Sequence, residues 1–104
     1  MLNIIPTKLL KLDEVPQESA NLERIFDFAL TFDPHEIEGK YVHAGNLEYA
    51  TSSSSIEELR AHLYLEQRRW NHFSQKPDAT TETKLRQIIR LLREKLNTSN
   101  DSLA

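Results

Sequence analysis

The stretch that decides the fold is SIEELRAHLYLEQRRWNHF, residues 55–73. Ser55 followed by Glu58 matches the capping box, in which each side chain bonds the other residue's backbone N–H at a helix start. Pro77 lies just beyond the stretch and cannot continue a helix, because it lacks a backbone N–H. The stretch therefore predicts a helix over about 56–75.

The apolar side chains of this helix gather on one arc when successive residues are turned by about 100°. These apolar residues are Ile56, Leu59, Leu63, Trp70 and Phe73. Glu66 and Gln67 fall inside the same arc, and His62 lies on its shoulder. A carboxylate at the centre of an apolar face is costly unless it is paired or protonated.

Glu66 leaves two interpretations open. In the first, it is a polar part of the core, because buried polar groups normally find donors within the fold. In the second, the arc faces a pocket for a small ligand or for catalysis. The candidate ligand-binding residues of that pocket are Glu66, Gln67, Trp70 and His62.

The residues before this stretch predict a helix over 16–32, begun by Pro16 or by Ser19 as its cap. It ends at Asp33, because the residue before a proline avoids the helical region. Residues 34–45 predict an irregular connection with room for a short β-like segment. Asn46 then caps a short helical turn.

A last helix is predicted after Pro77, with its cap at Asp78, Thr80 or Thr81 and its end near residue 96. Its apolar stripe is Leu85, Ile88, Ile89, Leu92 and Leu96. At 104 residues the chain has the size of one domain. We therefore predict an all-α fold, a small bundle of three to four helices over residues 1–96. Residues 1–15 would form an extended arm and residues 97–104 a disordered tail.

Charge is unevenly distributed along the chain. Residues 1–59 carry 4 Lys/Arg and 11 Asp/Glu, a net −7, and residues 60–104 carry 9 and 5, a net +4. The halves could attract each other within one fold, associate head to tail between copies, or offer a basic patch to an acidic partner. The candidate basic surface is Arg86, Arg90 and Arg93 on the last helix. Nucleic-acid binding is the less favoured use of this surface, because the domain is acidic overall.

The motifs of catalysis and metal binding are missing from the sequence. There is no cysteine, no HExxH, no nucleophile elbow and no glycine-rich phosphate loop. His62 and Glu66 are one helical turn apart, but two ligands make an incomplete zinc site. We therefore expect no catalytic residue, no metal and no cofactor, and predict a non-enzymatic binding or adaptor protein.

Self-association is the expected form of binding. Leu65 on the far face of its helix, and Leu91 off the main stripe of the last helix, are apolar residues left over for a contact. A homodimer or another protein partner is therefore expected. The sequence shows no signal peptide and no membrane span, which predicts a cytoplasmic protein without a membrane partner.

Two parts of the chain resemble a family of small, uncharacterised bacterial proteins. One is LRAHLYLEQRRWNHF (59–73), followed by Pro77-Asp78 and an amphipathic helix, and the other is FALTFD (28–33). The resemblance covers residues 22–96. It implies a free-standing bacterial protein, and it implies no activity.

Overall fold

The computed structural model describes residues 10–103, with side chains through Thr98. This part of the chain is all-α and contains no strand, which confirms the predicted fold class. Its α-helices are α1 (Leu22–Ala29), α2 (Pro34–Lys40), α3 (Ile56–His72) and α4 (Ala79–Leu103). Short 3₁₀ segments lie at Leu12–Glu14, Val42–Gly45 and Leu47–Tyr49. None of the described helices has an apolar stretch long enough to cross a bilayer.

The helix α3 is central, because it packs against α1, α4 and the 3₁₀ segment Val42–Gly45. Nearly every side chain from Leu59 to Gln67 is buried, whichever way it points. The single inward arc predicted from the sequence is therefore wrong for this half of the helix. The other half projects from the body, and Phe73, predicted to point inward, is 57% exposed.

The ends of α3 are fixed by local hydrogen bonds. The predicted capping box is present: Ser55 Oγ accepts from the N–H of Glu58 at 3.1 Å, and Oε1 of Glu58 accepts from the N–H of Ser55 at 2.9 Å. At the other end, the N–H of Ser74 donates to the carbonyl of Asn71 and that of Gln75 to the carbonyl of Trp70. This Schellman pair closes the helix at His72 instead of the predicted Gln75.

The first helix begins later than predicted. The Asn21 side chain accepts from the N–H of Arg24 at 2.8 Å and caps α1, so neither Pro16 nor Ser19 starts the helix. The carbonyls of Glu18 and Ala20 instead accept hydrogen bonds from Arg86. These two carbonyls thus accept from a side chain of another helix. Residues 16–20 lie outside any helix.

The predicted irregular connection at 34–45 is also wrong. Pro34 stands in the first turn of α2, and Asp33 Oδ1 accepts from the N–H of His35 at 2.9 Å as its cap. The dipeptide predicted to end the first helix therefore begins the second, which suits proline at a first helical position. The first helix, α1, ends earlier than predicted, at Ala29. The predicted cap at Asn46 is confirmed by its bond from the N–H of Glu48.

The helix α4 is capped by Asp78, whose Oδ1 accepts from the N–H of Thr81 at 2.8 Å. The predicted stripe is buried in full, as are Leu91 and Ile37. The backbone stays helical to Leu103, so the described part of the predicted disordered tail is helix instead. Its backbone simply continues the ladder of α4. Of the predicted arm, residues 1–9 lie outside the described residues, and Leu12–Glu14 forms a 3₁₀ turn that packs on α4.

Candidate functional site

The carboxylate of Glu66 is enclosed by its own chain, with 1% of the residue exposed. Oε1 accepts a hydrogen bond from the indole Nε1 of Trp70 at 3.1 Å. Oε2 has no hydrogen bond and lies 3.7 Å from a guanidinium nitrogen of Arg69. Burial raises the pKa of Glu66, and Arg69 and Trp70 only partly offset this. Both partners of this carboxylate, Trp70 and Arg69, lie on its own helix.

The imidazole of His62 lies one turn before Glu66 on α3 and is also buried. Its Nδ1 is enclosed without a hydrogen-bond partner. Burial lowers the pKa of His62, and the nearby Glu58 carboxylate opposes this shift to a smaller extent. His62 is therefore held in its neutral form, deeper in the fold than the predicted shoulder position.

A buried arginine, Arg60, has no counterpart in the sequence-based prediction. It is 3% exposed, and its guanidinium carbon lies 3.4 Å from the ring centroid of Phe32 and 5.1 Å from that of Phe28. One terminal nitrogen donates to the hydroxyl of Thr31, and Nε is enclosed without a partner. The charge is thus accommodated by two aromatic faces, since it forms no ion pair with a described carboxylate.

The three arginines of the predicted basic surface do not act alike. Arg86 pairs with Glu82 at 2.9 Å and donates to the carbonyls of Glu18 and Ala20. Arg93 donates to the carbonyls of Leu12 and Val15.

Arg90 is exposed and has no hydrogen-bond or ion-pair partner among the described residues. Two of the three arginines therefore bind the acidic first half of the chain itself.

A groove runs beside the projecting half of α3. Its volume is about 470 Å³, and it is lined by Leu30, Tyr64, Gln67, Arg68, Asn71 and His72. We refer to these six residues as the α3 groove. Of the predicted ligand-binding residues only Gln67 belongs to it, whereas Glu66, Trp70 and His62 do not.

Two side chains of the α3 groove are deeply set but lack polar partners. Gln67 is 7% exposed and Tyr64 4% exposed. Neither forms a hydrogen bond with any described residue, and neither has a polar atom that is fully enclosed. The amide of Gln67 and the hydroxyl of Tyr64 are therefore left to whatever fills the groove.

The rim of the groove carries charge and apolar surface. The Arg68 guanidinium pairs with Glu38 of α2 and lies 5.9 Å from the ring centroid of Tyr64. Leu30, just after α1, is 46% exposed. The groove thus offers neutral hydrogen-bonding groups, a cation and an apolar contact to one ligand.

The sequence holds a signal for this groove that the arc interpretation missed. Tyr64, Gln67 and Asn71 are spaced i, i+3 and i+7, which places them on one helix face. The assumption of one inward face assigned Gln67 to the core beside Glu66. In the structure the two residues part, Glu66 into the core and Gln67 toward the groove.

Two further observations concern metal binding and similarity to known proteins. Among the described side chains, residues 10–98, no three His, Asp or Glu groups converge to hold a metal ion. Comparison of the chain with protein-family models, with curated proteins and with solved structures gives no match.

Proposed function

We propose that this protein is a non-enzymatic binding module that recognises a protein partner through the α3 groove. The observation that carries the proposal is the amide of Gln67, which is nearly buried, lines the groove and has no partner in the described chain. Its polar atoms are not fully enclosed, so water can bond them in the free protein. A partner's donor and acceptor groups can replace that water, which suits the amide to binding.

The composition of the groove favours a protein over a small metabolite. The groove is shallow and mixes Leu30 and the ring of Tyr64 with amide, imidazole and guanidinium groups. Aromatic residues and arginine are enriched at the centres of protein interfaces. Enclosed cavities lined mainly by apolar groups are typical of small-molecule sites instead.

The proposal is tested by site-specific photo-crosslinking in cells. A benzophenone side chain placed at Leu30, on the apolar rim of the groove, should capture one recurrent partner that the same group at Glu94, exposed on α4, does not capture. The purified partner should then bind the native chain, and the Gln67→Met variant should bind it about tenfold more weakly. Identical adducts at both positions would contradict the proposal.

Stability separates a binding role of Gln67 from a structural one. Met has a similar volume and needs no hydrogen bond, so Gln67→Met should preserve or raise the free energy of unfolding. A loss of more than about 1 kcal/mol would mean that the amide stabilises the fold.

Self-association is a second candidate, and the exposed ring of Phe73 favours it. The residues that suggested a dimer from the sequence are covered: Leu91 is in the core, and Leu65 packs against Gly45. Sedimentation at micromolar to millimolar concentration should show a dimer that Phe73→Ser weakens. The similarly exposed Tyr49→Ser is the matched control, and a strict monomer would remove this candidate.

The alternative of a pocket centred on Glu66 receives little support. Glu66 lines neither the α3 groove nor the smaller groove between Leu47 and α4. Nucleic-acid binding through the basic last helix is likewise weakened, because Arg86 and Arg93 are engaged with backbone carbonyls. A mobility-shift experiment at low salt, where phosphate contacts are strongest, should show no retardation.

A further inference from the structure

Two amide side chains of the α3 groove are stacked along the helix axis. Gln67 and Asn71 are one turn apart, so they lie on one face with a separation of about 6 Å. Each amide carries both a donor and an acceptor. Neither side-chain amide forms a hydrogen bond with a described residue. The bond from Ser74 goes to the main-chain carbonyl of Asn71 and leaves the side-chain amide of Asn71 unbonded.

This spacing matches the repeat of an extended peptide. In a strand the N–H and C=O of one residue point to the same side, and the next residue to do so is two positions on, about 6.6–6.8 Å away. A side-chain amide can accept from that N–H and donate to that C=O. Gln67 and Asn71 can therefore bind the main chain of alternate residues in a peptide that runs along α3.

A second row of side chains lies beside the amides. Arg68 follows Gln67 and His72 follows Asn71, so each lies about 100° round the helix from its amide neighbour. Arg68 and His72 are therefore also one turn apart. Side chains on one face of an extended peptide recur at nearly the same distance. Arg68 pairs with Glu38 but has five N–H donors, so an acidic residue of the peptide would share the guanidinium with that carboxylate. A second acidic residue, two positions on, would meet His72, and an apolar residue would contact Leu30.

We infer that the α3 groove binds an extended peptide segment of a partner protein, with main-chain hydrogen bonds to Gln67 and Asn71 at every second residue. The segment carries acidic residues at alternate positions on the side of Arg68 and His72. This inference rests on the proposed function and specifies what the partner presents. A helical segment offers no free main-chain groups and would not use the two amides in this way.

The test begins with a phage-displayed library of random eight-residue peptides, selected on the native chain and counter-selected on the Asn71→Ala variant. Asn71 is exposed, so this variant keeps the fold. The best peptide is then N-methylated at one residue at a time, and its affinity is measured by fluorescence polarisation. Methylation should weaken binding about tenfold or more at alternate positions and leave the positions between them nearly unchanged.

Three variants assign the contacts within the groove, with one control outside it. Gln67→Ala and Asn71→Ala should each reduce affinity about tenfold, whereas the exposed Tyr49→Ser should not. Arg68→Ala should remove the preference for acidic residues and lower the dependence of affinity on salt.

The possible results separate the inference from the proposed function. Alternating sensitivity to N-methylation supports both. Peptides that depend on Asn71 but show helical spacing, or no dependence on main-chain N–H groups, uphold the binding module and overturn the extended mode. A failure to enrich any Asn71-dependent peptide overturns the inference, and the crosslinking experiment then decides the proposed function alone.

Discussion

The guanidinium of Arg60 lies 3.4 Å from the ring centroid of Phe32 and joins the central helix α3 to the segment after α1. Burial lowers the pKa of Arg60 to about 10, so the group stays charged at neutral pH. More distant carboxylates, Glu14 foremost, favour the charged form. A single buried cation thus connects two parts of the core through aromatic faces.

We expect this contact to appear as a coupling energy. Phe32→Leu should lower the free energy of unfolding by about 1–3 kcal/mol in the native chain, and by about 1 kcal/mol less when Arg60 is already Met. Urea unfolding of the four proteins of the cycle measures the difference. Phe26, half-buried on α1 and not stacked on Arg60, is the control: Phe26→Leu and Arg60→Met should be additive.

His62 should make the protein less stable as the pH falls below about 6.5. Burial lowers the pKa of His62 in the folded chain, so the unfolded chain binds its proton first, near the ordinary pKa of 6.5. The free energy of unfolding therefore decreases as the pH is lowered from about 6.5 to the folded-state pKa of His62. His62→Leu should flatten this part of the curve of unfolding free energy against pH. An unchanged slope would show that His62 does not titrate in this way.

Glu66 should act in the opposite direction. Burial raises its pKa in the folded chain above 4.5, so the folded chain binds this proton before the unfolded chain does. The native chain should therefore gain stability relative to Glu66→Gln as the pH falls from the folded-state pKa toward 4.5. Gln keeps an acceptor for the Trp70 indole, which makes it the suitable comparison. A difference between the two proteins that is independent of pH would contradict the assignment.

The two arginines of α4 that bind carbonyls should hold the segment before α1. In Arg93→Ala the carbonyls of Leu12 and Val15 lose their donor, and hydrogen bonds from charged groups contribute about 1.5–3 kcal/mol, less where water reaches them. Hydrogen exchange at the Glu14 and Val15 amides should rise about tenfold. Arg90→Ala on the same helix should leave both amides unchanged, and equal effects of the two variants would disprove the contact.

Ser74 should be replaceable by glycine with a gain in stability. It has φ 53°, the only positive value at a non-glycine residue in the described chain. An L-residue pays about 1–2 kcal/mol for this conformation, and glycine adopts it freely although it loses more backbone entropy. Ser74→Gly should raise the free energy of unfolding by up to about 1 kcal/mol. Ser52→Gly, at a negative φ, should not raise it.

Local signals predicted three helical starts, although they placed the start of α1 too early and missed that of α2. The capping box at Ser55 and the cap at Asn46 depend on neighbours three residues away or fewer and are present as predicted, and Asp78 is one of the three caps that the sequence allowed for α4. Pro34 was interpreted as the stop of the first helix, which ends earlier at Ala29, and its use in the first turn of α2 was not recognised. Local rules of this kind cannot rank two uses of one residue.

The burial of α3 could not be predicted from periodicity. An amphipathic pattern marks a helix with one covered face, but α3 has neighbours on several sides between Leu59 and Gln67. His62 was therefore placed on the shoulder of the arc and Arg60 was not singled out, although the core encloses both. Their positions depend on Phe32 and on α4, and nothing in the spacing within α3 reveals those contacts.

The contacts of Arg86 and Arg93 also set an order of events during synthesis. They join residues 66 to 81 positions apart, and the segment that they hold is synthesised before its donors. The α3–α4 hairpin can form from nearby residues, whereas Val15 and Pro16 wait for α4 before they are covered. A chain interrupted before Arg86 would therefore leave this segment without its hydrogen-bond donors and more open to proteolysis than in the folded protein.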